Sequence, residues 1–255
     1  MARVTDKLLD QNLKDIAVKK YEKQKLSRVP TEIVDLVSKG KVYPKSNPLS
    51  SGEIEMRYMT AYDEDILTST TFLQKGIALD KLLEAIIISD INLNDLTVPD
   101  KNALIVDARI LSYGKMYPVV ITTPDNQTIE TEVDLSKLDI IDITLDPDEN
   151  GEFNYQINDT YHIKFRYPPA TANTETKSEF LKHVIMQVND SRVKNDIAEF
   201  IQYDFRIDDS KKFQKYFYEN LPRLDLSVDI NYTTTEGNQE TFRAGFQLGT
   251  DLFWF

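Results

Sequence analysis

Residues 95–114 read DLTVPDKNALIVDARILSYG, and the spacing inside this stretch decides the fold class. Leu104, Ala108 and Leu111 form one apolar row at helical spacing, and Val106, Ile110 and Tyr113 form a second. Two rows on one helix predict burial on two sides. Pro99 suits a first turn, where its missing N–H has no partner to lose, Asp100 is placed as a possible cap, and Gly114 is the stop. Upstream, Leu79, Leu82, Leu83, Ile86 and Ile87 recur at i, i+3, i+4, i+7 and i+8, which predicts a helix over 77–87 with one core-facing side. Residues 54–59 alternate at period two, as a half-buried strand does. Thr60 then precedes Asp63, Glu64 and Asp65, a pattern that fits a helix N-terminus, where side-chain oxygens accept unpaired backbone N–H groups. Three consecutive carboxylates point to different sides of a helix and do not converge on one ion.

From Met116 the period changes to two. Val119 and Ile121 are expected to pair with Ile129, Thr131 and Val133 across Pro124–Gln127, and residues 153–157 with 161–167 across Asn158 and Asp159. Beyond Pro168 and Pro169, residues 180–188 and 197–205 have helical spacing. Residues 210–220 form a further helix whose Phe213, Tyr216, Phe217 and Tyr218 suit core packing. Residues 224–248 alternate on both sides of Glu236-Gly237-Asn238 as a hairpin. The fold class is α+β: a helical core, a small antiparallel β subdomain and a C-terminal β-hairpin. Near the start, residues 6–26 read as a polar helix with a thin apolar stripe. TEIVDLVSKG after Pro30 reads as a short helix ending at Gly40, and residues 42–51 as a linker. Four segments follow: a basic helical arm and linker (1–50), a strand plus two core helices (51–115), the β subdomain (116–168), and a helical segment with the hairpin (169–255). Residues 1–40 are expected to be dispensable for folding.

A chain of 255 residues with 41% hydrophobic residues can bury a sizeable core. Its net charge of −12 is unevenly placed: residues 1–50 hold 11 basic and 6 acidic side chains (+5), and residues 51–255 hold 19 and 36 (−17). An acidic body argues against nucleic acid as a partner, because that affinity comes from neutralising phosphates. The arm's Lys14, Lys19, Lys20, Lys23, Lys25 and Arg28 are candidate partner contacts. So are Phe253, Trp254 and Phe255, which must either close the core or bury themselves in a partner. There is no cysteine, so disulfide and thiolate chemistry are excluded. No apolar run approaches the ~18–20 residues of a membrane span, and MARVTDKLLDQ lacks an apolar signal core, so the expectation is a cytoplasmic protein without a membrane partner. His162 and His183 are the two histidines, and nothing in the spacing pairs them. Residues 146–151, DPDENG, match the first half of a calcium loop. The twelfth position is Ile157 where a bidentate glutamate is required, so the segment reads as a turn. No catalytic, cofactor or metal site is expected, and the protein is read as a non-enzyme.

Several segments together resemble the baseplate hub assembly chaperones of T-even-type contractile-tailed bacteriophages. They are Ser51–Thr60 (SGEIEMRYMT), Asp63–Thr68 (DEDILT), Lys75–Leu83 (KGIALDKLL), Asp100–Leu104, Arg109-Ile110, Ser112–Gly114, Asp134–Leu138 (DLSKL) and the Phe253-Trp254 ending. The likeness is strongest over 51–138. Many of those relatives carry a cysteine pair, like a small metal knuckle, in the hairpin after the tyrosine-glycine. Here Ile121–Asn126 reads ITTPDN, so no metal is expected. The resemblance implies a late phage protein of virion assembly, active in the host cell cytoplasm, that holds hub or tape-measure proteins until they join the contractile tail. The alternative is a structural subunit retained in the virion tail baseplate. A metal-dependent hydrolase built on the acid clusters is the remaining reading, from a different class.

Overall fold

The structure, a computed structural model, describes residues 29–172 and 174–254. The elements that frame its centre are strands β1 (Thr31–Asp35) and β2 (Glu53–Arg57), followed by helices α1 (Ala61–Thr68), α2 (Thr70–Gln74), α3 (Ala78–Ile86) and α4 (Val98–Tyr113). Helix α4 is the predicted two-sided helix: Ala103, Leu104, Ile105, Val106, Ala108 and Arg109 are all buried along it. Helix α3 buries Leu82, Leu83 and Ile86 of the row read from the sequence, together with Ala78, while Leu79 and Ile87 are half-buried against the core.

Eleven strands, all paired antiparallel, make five small sheets among the described residues. After β1–β2 comes the hairpin of β3 (Met116–Thr122) and β4 (Thr128–Asp134), in the expected register with Val119 opposite Thr131 and Ile121 opposite Ile129. Strand β5 (Ile140–Ile141) pairs with the distant β9 (Arg223–Leu224). Strands β6 (Phe153–Gln156) and β7 (His162–Phe165) form the second expected hairpin and are joined by β8 (Ile185–Val188). Helices α5 (Lys177–Val184), α6 (Lys194–Glu199) and α7 (Ile207–Glu219) lie between, with a π-helical turn at Phe200–Asp204. The C-terminal hairpin is β10 (Ser227–Thr233) with β11 (Gln239–Gly245). One continuous hydrophobic cluster reaches from Leu36 to Phe253. Its aromatic centre is Phe153, Phe165, Tyr167, Phe213 and Phe217, so Phe213 and Phe217 of α7 pack as the sequence predicts, with Tyr216 half-buried beside them, whereas Tyr218 is exposed.

Several expectations are corrected. Residues 31–40 are not a helix: TEIVD is strand β1, paired with β2 from Thr31–Arg57 to Asp35–Glu53. Ile33, Val34, Leu36 and Val37 fit either period over so short a run, and pairing with β2 decides between them. Residues 42–51 are not a free linker, since Val42, Tyr43 and Leu49 are buried, as are Leu36, Val37 and Ser38 just before them. Residues 1–40 therefore include parts of the fold itself. The chain reverses at Lys39 and Gly40, both at positive φ, and a Cβ on Gly40 would overlap the carbonyl of Ser50. Residues 185–188 leave helix α5 to become β8, because the free edge of β7 offers backbone partners to the β-branched Ile185 and Val188. The two hairpins of 116–168 belong to separate sheets, and Leu224 pairs with Ile140 instead of joining the C-terminal hairpin. The polar helix expected over 6–26 lies outside the described residues.

Asp100 is a further correction. Thr97 occupies the N-cap of α4, and the fully buried Asp100 carboxylate instead accepts from the Ser38 N–H (2.9 Å), the Tyr43 hydroxyl (2.6 Å) and the Thr97 hydroxyl (3.0 Å). Burial first, and then the charge of Asp100, push the Tyr43 phenol far above its ordinary value, so it stays a donor. Three donors on one carboxylate bind residues 38, 43 and 97 into a single joint. Asp100→Ala is expected to lower stability by about 3 kcal/mol, read as a fall in the urea midpoint.

Candidate partner-binding surface

The acidic triplet at the start of α1 is a structural device. Asp63 is buried and takes a bidentate pair from Arg57, with Nη1–Oδ2 and Nη2–Oδ1 both 2.7 Å. Its Oδ2 also accepts from the backbone N–H (2.7 Å) and hydroxyl (2.9 Å) of Thr60, completing a capping box. Burial alone would raise the Asp63 carboxyl. The hydrogen bonds and charge of Arg57, with those of Thr60, outweigh it and hold the group below its ordinary value. Glu64 accepts from the Tyr113 hydroxyl at 2.5 Å, tying α1 to the end of α4. The sequence reading missed Arg57, whose signal was an arginine in a half-buried strand six residues before an acid.

The remaining chemical candidates resolve in the same way. His162 and His183 are both exposed. In DPDENG, Asp148 Oδ1 accepts the N–H groups of Asn150 (2.9 Å) and Glu152 (3.1 Å), and Oδ2 takes Lys164 Nζ at 2.6 Å. Two N–H groups of the turn and Lys164 of β7 thus occupy both oxygens. Gly151, at φ +69°, sits against the backbone of Tyr43, where a Cβ would come within 2.7 Å. Among the described residues no group of three or more His, Asp or Glu is placed to hold a metal, and no helix is long and apolar enough to cross a membrane.

The candidate contacts at the chain ends separate. Phe253 is 1% exposed and stands edge-on to Tyr113 at 6.1 Å, so it is core. Beside it, Arg109 is 0% exposed and donates to the carbonyls of Leu252 (2.8 Å), Gly114 (2.8 Å) and Met116 (3.3 Å). Trp254 follows at 38% exposure and remains accessible. Phe255 and the arm residues Lys14, Lys19, Lys20, Lys23, Lys25 and Arg28 lie outside the described residues.

Two surface grooves flank α4. The wider, of about 520 Å³, runs between the start of α4, the Pro168–Ala172 loop and the end of α7. Phe180 and Phe217 are its buried part, and Val98 (51% exposed) and Tyr218 (54%) stand on its rim. Its polar side chains include Asn102, Arg223 and Asp225. The narrower, of about 320 Å³, lies between β1, the middle of α4 and the 3₁₀ turn Leu135–Lys137. No sequence pattern pointed to either groove, because each gathers segments from more than a hundred residues of chain.

Residues 31–245 match a family model described as T4 bacteriophage base plate protein. No curated protein and no solved structure matches the chain. The matched range begins at β1 and ends at β11, so both sets of contacts proposed from the sequence fall outside it.

Two outcomes test these assignments. Because the folded-state pKa of Asp63 is depressed, its contribution is present above the unfolded value near about 4 and is lost as pH falls through the folded value. Asp63→Asn is therefore expected to cost about 3 kcal/mol at neutral pH, with the gap to wild type closing in acid, measured by urea midpoints across pH. Phe253→Ala should cost about 3 kcal/mol as a core truncation. A change in partner capture with unaltered thermal unfolding would contradict the core placement.

Proposed function

Because the chain belongs to the T4 bacteriophage base plate protein family, we propose that it is a non-enzymatic, protein-binding assembly factor. It holds a baseplate hub or tape-measure protein in the host cytoplasm until that protein joins the tail. The observation that carries this reading is the wider groove, an open apolar trough whose exposed rim residues, Val98 and Tyr218, belong to two different helices. Apolar surface left on a folded chain is what a protein partner covers, and aromatic side chains dominate such contacts. Arg223 and Asp225, of opposite charge on the same wall, supply orientation for a docked segment.

The double variant Val98→Asp/Tyr218→Asp changes rim residues and leaves the buried cluster intact. It is expected to reduce co-purification of hub proteins from infected cells at least tenfold with thermal unfolding unchanged. Undiminished capture would remove the groove from the function. Mass spectrometry of purified particles tests the assembly role: an assembly factor is absent or far below hub stoichiometry, whereas equimolar presence identifies a subunit retained in the baseplate.

A further inference from the structure

Residues 117–122 of β3 and residues 244–249, at and beyond the end of β11, line a common groove of about 510 Å³. The hydrogen-bond phase of the β3–β4 hairpin fixes which backbone groups of β3 the hairpin uses. Thr123 N–H meets the Gln127 carbonyl at 2.8 Å at one end of the ladder, and Leu135 N–H meets the Lys115 carbonyl at 2.8 Å at the other. In the register between them, Tyr117, Val119 and Ile121 exchange their bonds with β4. Met116, Pro118, Val120 and Thr122 aim their peptide groups the other way, along the free edge of a two-stranded sheet. The Met116 carbonyl takes Arg109 at 3.3 Å, and Pro118 has no N–H to give. The Pro118 carbonyl, and the N–H and C=O of Val120 and Thr122, have no hydrogen-bond partner among the described residues.

We propose that this edge accepts an extended segment of another protein, one that alternates apolar and basic side chains, as an added strand beside β3. The unused ladder groups recur at every second residue, a repeat that an extended chain matches with its own donors and acceptors. The alternation follows from the two faces of the hairpin. On the inner face Tyr117, Val119 and Ile121 are half-buried, and Phe246 and Leu248 line the same groove, so every second side chain of the added strand meets apolar surface. On the outer face Val120 is 69% exposed, and the residues opposite Pro118 and Val120 on β4 are Glu132 and Glu130. Among the described residues neither glutamate is in an ion pair, whereas Asp134 on the same strand is matched by Lys115 and Lys137. A lysine or arginine on the outer face of the added strand lays its stem on Val120 and carries its charge towards them.

The other wall carries an independent sign. Gly245 lines the groove, and the bond from Phe246 N–H to the Leu226 carbonyl (2.9 Å) sets a phase that points the Gly245 peptide groups away from β10. A Cβ there would meet nothing nearer than 3.8 Å, so packing among the described residues does not call for glycine. Close approach of another backbone does. A second copy of this chain is a poorer occupant. Pairing β3 with β3 puts Pro118 in both strands, losing a donor twice, and gathers the glutamates of two chains of net charge −12 on one sheet face. The edge is separate from the wide groove beside α7, so either contact can fail without the other.

The test uses the full-length chain and a short capped peptide of alternating valine and lysine. Amide exchange followed by NMR is expected to show Val120 and Thr122 unprotected in the free protein, interleaved with slow Val119 and Ile121. The peptide should protect both. Its affinity should fall about tenfold or more for Val120→Pro and stay within about twofold for Val120→Thr, which keeps the N–H. Because β4 does not use the Val120 N–H, the proline repeats what Pro118 already does, and thermal unfolding should be unchanged. If Val120→Pro fails to fold, a peptide N-methylated throughout, with no donor to give, takes its place and must fail to protect. Absence of protection at peptide concentrations on the order of millimolar overturns the proposal, as does equal binding by a valine–glutamate peptide. Slow exchange of Val120 and Thr122 in the free protein also overturns it: dependence on protein concentration then assigns the edge to a second copy, and independence to a segment of the same chain.

Discussion

One buried guanidinium holds the chain's distant parts together. Arg109 lies near the end of α4 with no exposure, and it survives there because its donors meet the carbonyls of Leu252, Gly114 and Met116. The rings of Tyr113 and Tyr117 lie 5.1 and 5.9 Å from its carbon centre and offer their negative faces. Burial lowers its pKa, yet carbonyl dipoles at a helix end are a favourable setting for positive charge. The consequence is topological. The end of α4, the first residue of β3 and the 3₁₀ turn carrying Phe253 are fixed to one another by a single side chain. Asp100 does the same at the opposite end of the helix for residues 38, 43 and 97.

With both ends anchored, α4 is a rigid beam, and what remains of its surface borders both grooves. Its first turn, at Thr97, Val98, Pro99 and Asn102, contributes to the wide apolar groove. Its middle, at Ala103, Val106, Asp107, Ile110 and Leu111, contributes to the narrow acidic one. Binding surfaces mounted on a well-packed helix lose little conformational entropy when a partner arrives. That suits a member of the baseplate protein family, which implies contact with other baseplate proteins.

Much of this was legible in residue order. The apolar rows of α3 and α4, the hairpin at Pro124–Gln127, the turn at Asn158-Asp159 and the capping box at Thr60 rest on local periodicity or on side chains a few residues apart. Where the reading failed, a remote partner had overridden a local preference. TEIVD became a strand because β2 lay beside it, Ile185 because β7 had an open edge, and Asp100 a joint because Ser38 and Tyr43 reached it from some sixty residues upstream.

The sequence by itself determined the α+β class, the main helices and hairpins, the acidic body with its basic arm, and the likeness to phage baseplate proteins. Each of these depends on composition or on spacing within one element. Only the tertiary structure decided that Leu36, Val37, Val42, Tyr43 and Leu49 belong to the core, that Phe253 is buried while Trp254 is not, and where the two grooves lie. Those outcomes come from burial and hydrogen bonding between segments far apart in the chain, as when the Leu252 carbonyl meets Arg109 across 143 residues, a pairing that no local pattern encodes.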